Sequence, residues 1–115
     1  MTCPRLFVYG TLRKAAPASQ WSRFLESTSR FLGNAQAQGQ LRPVGEYTGL
    51  VPGGDGTVAG EVHELHNPAL MLATLDDYEG CGANDPPPHA YHRRIIRVTM
   101  DDGTSTDAWA YAVTI

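Results

Sequence analysis

One helix in this sequence is marked at both ends, and the chain on either side of it is punctuated like β structure. Asn67-Pro68 sets the start, with asparagine as a cap and proline at the first helical position. Gly80 sets the stop, because glycine readily takes the left-handed conformation that closes a helix. Between them Leu72 and Leu75, with Met71 and Tyr78, supply one apolar face. The helix is therefore predicted to run to about Tyr78, leaving Glu79 at its C-terminal end. Strand-like runs before and after such a helix constrain the chain to an α+β fold.

The first of those runs is Leu6-Phe7-Val8-Tyr9, whose aliphatic, β-branched and aromatic residues suit a buried strand. It breaks at Gly10 into Thr11, Leu12 and Arg13. The successive N–H groups of Gly10 to Leu12 can face an anion such as a carboxylate; the plainer alternative is an ordinary turn after a buried strand. Residues 20–28 place Trp21, Phe24 and Leu25 at helical spacing behind a Ser19 cap. Residues 31–41 are expected to form a strand broken by Arg42-Pro43-Val44-Gly45, and residues 46–51 a further short extended piece closed by Pro52-Gly53-Gly54-Asp55-Gly56. Residues 57–65 alternate, with Val58, Gly60 and Val62 on one side and Ala59, Glu61 and His63 on the other. Residues 91–100 and 106–115 read as two strands joined by a two-residue Asp-Gly turn within Asp101-Asp102-Gly103-Thr104. Trp109, Tyr111, Val113 and Ile115 share one face of the second. No repeat or linker divides the 115 residues, which are expected to make a single α+β domain of about five to six strands and two helices.

The net charge of −3 gives no electrostatic footprint for nucleic acid or an acidic membrane surface, so neither partner is expected. Met1-Thr2-Cys3-Pro4-Arg5 is followed by only a few apolar residues, which is no signal-peptide core, and a cytoplasmic location is expected. Cys3 and Cys81 show no disulfide framework. Nothing specifies an oligomeric state.

Glu79 is the residue whose placement asks for a reason. At a helix C-terminus it faces the negative end of the macrodipole, which disfavours its charged form and suits a general acid/base if the site is half buried; a merely solvated glutamate is the alternative. His63-x-x-His66 and His89-x-x-His92 suggest zinc ligands, but neither pair lies on a confident helix, and three residues apart on a strand end puts a pair on opposite faces; surface histidines are expected instead, with no metal. Cys81, with His89 or His92 as base, lacks any local nucleophile signature. Gly53-Gly54-Asp55-Gly56 is a turn, since no phosphate-binding Lys-Ser follows it. Arg93, Arg94 and Arg97 can recognise a carboxylate or phosphate, but they alternate faces.

Taken together, Val8-Tyr9-Gly10-Thr11-Leu12-Arg13, Gly60-Glu61-Val62, Leu75-Asp76-Asp77-Tyr78-Glu79-Gly80 and Tyr91-His92-Arg93 resemble the γ-glutamylcyclotransferase-like family, which includes the γ-glutamylamine cyclotransferases and the AIG2-like proteins. Their order and spacing span nearly the whole chain. The resemblance implies a small mixed β-barrel flanked by helices, a substrate-binding loop at Tyr9, Gly10, Thr11 and Leu12, and Glu79 as catalytic acid/base. The substrate would be a γ-glutamyl amine or amino acid, converted to 5-oxoproline and a free amine without cofactor. Tyr91 and Tyr111 would supply hydroxyls or walls of the same cavity, or else pack in the core. The segment 81–90, with its three consecutive prolines, is longer than the family's usual connection. A non-catalytic module binding a small molecule or a protein on the same fold is the alternative.

Overall fold

A computed structural model describes residues 3–9, 27–44, 47–79 and 91–113, with the side chains of residues 44, 47–48 and 77–79 outside the description. The elements are β1 (Arg5–Val8), β2 (Ser29–Val44), β3 (Tyr47–Leu65), α1 (Pro68–Glu79), β4 (Tyr91–Met100) and β5 (Ser105–Val113). The strands close into a barrel in the order β1-β3-β2-β4-β5. The barrel is mixed: β1 joins β5 in parallel through Leu6 and Trp109, and β3 touches β5 in parallel at Leu50 and Ala112, while the other pairings are antiparallel.

A five-stranded barrel has little interior, and the inward residues are sized to it. Ala35 and Ala37 on β2 and Ala108 and Ala110 on β5 leave room for Phe7, Leu50, Val58, Val62, Ile96 and Val98. Gly60 adds space of another kind: a Cβ there would lie 2.5 Å from the Val8 carbonyl oxygen and 2.6 Å from the Phe7 ring. The outer face of the same strands carries a second core, in which Leu6, Val8, Leu65 and Tyr111 pack on Met71, Leu72 and Leu75 of α1. β1 is thus buried on both faces, and its unbroken apolar run follows from that.

Helix α1 starts where expected. Pro68 is its first residue, the Leu70 N–H points at Asn67 Oδ1 at 3.5 Å, and the Met71 N–H donates to the Asn67 carbonyl at 3.0 Å. Ser27 and Thr28 are helical, and the rest of the helix expected over residues 20–28 lies outside the described residues.

Of the two expected breaks, the first falls later and the second is absent: β2 ends at Val44 and β3 begins at Tyr47, with residues 45 and 46 outside the described residues. β2 continues to Val44 with Pro43 paired to Thr48, because β4 joins β2 only at residues 35–37 and Pro43 therefore sits where its missing N–H deprives no further strand. β3 likewise continues through Pro52-Gly53-Gly54-Asp55-Gly56. Residues 53–56 fall between the pairs Gly39↔Pro52 and Gln38↔Thr57, so the turn-like sequence makes an irregularity within the ladder rather than a strand end. The β4–β5 connection also differs in detail. The Met100 carbonyl accepts from Gly103 N–H at 2.9 Å and the Met100 N–H donates to the Thr104 carbonyl at 2.7 Å, so Asp101 to Gly103 span the turn, with Gly103 at φ +87°. Among the described residues no helix is long and apolar enough to cross a membrane.

Candidate functional site

Tyr111 is where the two ends of interest meet. At the end of β1 the Tyr9 ring lies against Phe7, 6.2 Å between centroids, and its hydroxyl donates to the Tyr111 carbonyl while accepting the Leu50 N–H at 2.9 Å. The Tyr111 side chain points the other way, outward onto α1, and its own hydroxyl donates to Asp76 Oδ1 at 2.8 Å. One residue of β5 therefore ties the strand that leads into Gly10, Thr11 and Leu12 to the last turn of the helix that ends at Glu79. Gly10, Thr11 and Leu12 themselves lie outside the described residues, as do Cys81 and His89, and the Glu79 side chain is likewise outside the description.

Asp76 is held from a second direction. Arg93 Nε donates to Asp76 Oδ1 at 2.8 Å and Arg93 Nη2 to Oδ2 at 3.1 Å, a two-point fork on one carboxylate. The guanidinium lies 4.4 Å over the Trp109 ring, whose Nε1–H donates to the Cys3 carbonyl at 3.0 Å. Arg93 sits directly opposite Tyr111, and Tyr91 opposite Val113. Directly opposed residues share a face, so Tyr91, Arg93 and Tyr111 lie together on the side of β4 and β5 that α1 covers; Tyr91 is half-buried. The carboxylate that Arg93 recognises is thus an internal one. Sequence reasoning assigned Asp76 no role; the available signal was an acid three residues before Glu79 on the same helix, followed by an arginine at the start of the next strand.

A separate polar cluster lies between β2 and β3. His63 Nε2 is 3.1 Å from Glu61 Oε1, and Nδ1 is 3.3 Å from Ser29 Oγ. A carboxylate can only accept, so Nε2 carries the proton and Nδ1 faces the serine hydroxyl. The ring meets Phe31 edge-on at 5.5 Å. Glu61, His63 and Ser29 are all buried. His63 is accordingly not the surface histidine expected from its type, because Glu61 on the same strand face provides its partner. His66 is exposed, one residue beyond the end of β3. Among the described residues no three His, Cys, Asp or Glu side chains gather in a way that would hold a metal ion.

Residues 6–114 match the family model described as gamma-glutamyl cyclotransferase, AIG2-like. The gamma-glutamylcyclotransferase family protein YtfP of Escherichia coli (strain K12) is 34% identical over 108 residues, covering 93% of this chain and 80% of that protein. An AIG2-like protein from Mus musculus has a solved structure similar at a TM-score of 0.75 and 27% identity, over 96% of this chain and 77% of that one. YkqA from Bacillus subtilis is similar at a TM-score of 0.69 and 27% identity over 97% of this chain, which spans 36% of that longer protein.

Proposed function

The chain belongs to the γ-glutamyl cyclotransferase, AIG2-like family, and from that premise we propose that it releases 5-oxoproline from a γ-glutamyl amine or γ-glutamyl amino acid. Such a substrate carries its own nucleophile. Its α-amine attacks the γ-carbonyl carbon, a five-membered ring closes as the new C–N bond forms, and the old amide C–N bond breaks to free the amine. Intramolecular attack held in the right geometry has an effective molarity up to about 10⁵ M or more, so the protein needs neither a nucleophilic side chain nor a cofactor. Glu79 takes the proton from the α-ammonium and returns it to the departing nitrogen. The N–H groups of Gly10, Thr11 and Leu12 hold the substrate's carboxylate and stabilise the developing oxyanion. Tyr9, packed against Phe7, and Tyr111, buried between β5 and α1, shape the site through the elements they join, and Tyr91 serves as a wall. The hydroxyls of Tyr9 and Tyr111 bond to protein groups, which suits a shaping role better than proton transfer.

The observation that carries this reading is the convergence on Tyr111 of the β1 end and the last turn of α1, since loop and acid must approach one substrate from two elements. The test is 5-oxoproline release from a panel of γ-glutamyl amides by wild type and Glu79→Gln. Turnover by the wild type should fall by about 10² to 10⁴ in the variant while substrate still binds. Binding of the amides without release by the wild type would favour a binding module, and wild-type turnover by Glu79→Gln would move the search to Glu61.

A further inference from the structure

Asp76 stands in the last turn of α1, where a carboxylate meets the negative end of the helix dipole, yet among the described side chains of that helix it is the most heavily bonded. Three donors converge on it from the barrel: Arg93 Nε at 2.8 Å, Arg93 Nη2 at 3.1 Å and the Tyr111 hydroxyl at 2.8 Å. The Arg93 fork is itself held, with its plane over Trp109 at 4.4 Å and the indole anchored to the Cys3 carbonyl. The side chains of Asp76 and Arg93 are only 18% and 25% exposed, so water screens the pair little. A planar fork that meets both oxygens of one carboxylate fixes the rotation of that carboxylate as well as its distance. Residues three apart on a helix share one side of it, so a tie on Asp76 holds the backbone of the turn to which residue 79 belongs.

We propose that Arg93 is a positioning residue: by clamping Asp76 against Tyr111 and Trp109 it sets the last turn of α1 and so aims the Glu79 carboxyl at the substrate. This rests on the reading of Glu79 as the acid/base given above. The clamp accounts for an ion pair that neither barrel closure nor the α1 apolar face requires, since Met71, Leu72 and Leu75 already dock the helix. It also explains why the cation is an arginine, because a lysine would offer one charge at a point and leave the second carboxylate oxygen without its fork.

The experiment compares Arg93→Lys, Glu79→Gln and the double variant on a γ-glutamyl amide that the wild type cyclises, with amide exchange of α1 and the unfolding midpoint read in parallel. Arg93→Lys should lower kcat by about 10-fold or more, as displacement of a reacting group does, and leave KM within about threefold. Its amide exchange should quicken in the last turn of α1 and not in the first. In the Glu79→Gln background, Arg93→Lys should cost nothing further, because a clamp has no work once the carboxyl it aims is gone. A rise in KM at constant kcat, an additive loss in the double variant, or unchanged exchange in the last turn would each overturn the proposal while leaving Glu79 intact. If Glu79→Gln alone keeps wild-type turnover, the reading of Glu79 fails, and the proposal falls with it. Should Arg93→Lys unfold, Asp76→Asn provides the same comparison from the other side of the fork.

Discussion

Gly60 contributes to the barrel by what it lacks. The Val8 carbonyl and the Phe7 ring occupy the space of its missing Cβ, at 2.5 and 2.6 Å, and one of those neighbours is backbone that cannot swing aside. Gly60→Ala should therefore destabilise the protein by about 1–3 kcal/mol, the ordinary cost of overpacking a tight core, read as a lowered midpoint in thermal or urea unfolding. A midpoint at or above the wild-type value would show that β1 has slack at this crossing. Tyr111 shows the converse economy, since its carbonyl serves β1 and its hydroxyl serves α1. Its company with Trp109 on one face is legible in the alternation of β5, though not that the face points outward onto α1. Its partner is not, because Asp76 lies 35 residues earlier and nothing local links the two.

The β4–β5 hairpin is the element whose pH response is best defined. Asp102 is held below the ordinary aspartate value of 3.8, chiefly because its carboxylate accepts the Thr104 hydroxyl, and next the Thr104 N–H. A folded-state value below the unfolded one means stability that is present above 3.8 and lost as pH falls through the lower folded value. The midpoint of wild type should thus exceed that of Asp102→Asn by a constant amount above 3.8, and the gap should narrow on acidification below it. A gap that widens in acid would contradict the carboxylate's role in the turn. Elements whose signals are local were legible at their ends, as the start of α1 was from Asn67-Pro68. β2 and β3 were not: Pro43, Pro52 and Gly53 look like breaks in any single strand, and only the partner strand decides whether a ladder carries on past them.

For the molecule as a whole, folding is expected to need no metal: both ring nitrogens of His63 face protein partners and His66 lies out at the surface. Exhaustive dialysis against a chelator should leave the unfolding midpoint and any 5-oxoproline release unchanged; stoichiometric zinc whose removal abolishes either would refute this. The sequence by itself determined the α+β class, the bounded helix and the residues that place the chain in its family, because caps, turns and alternation act over a few positions and leave their mark in residue type. Tertiary structure decided the rest. Whether His63 is buried depends on what covers that face of β3, and whether Arg93 meets solvent or Asp76 depends on where α1 docks. The bonds that join the first strand to the last link Tyr9 to Tyr111 and Cys3 to Trp109, 102 and 106 positions apart, and a contact between residues so distant is specified only when the barrel has closed.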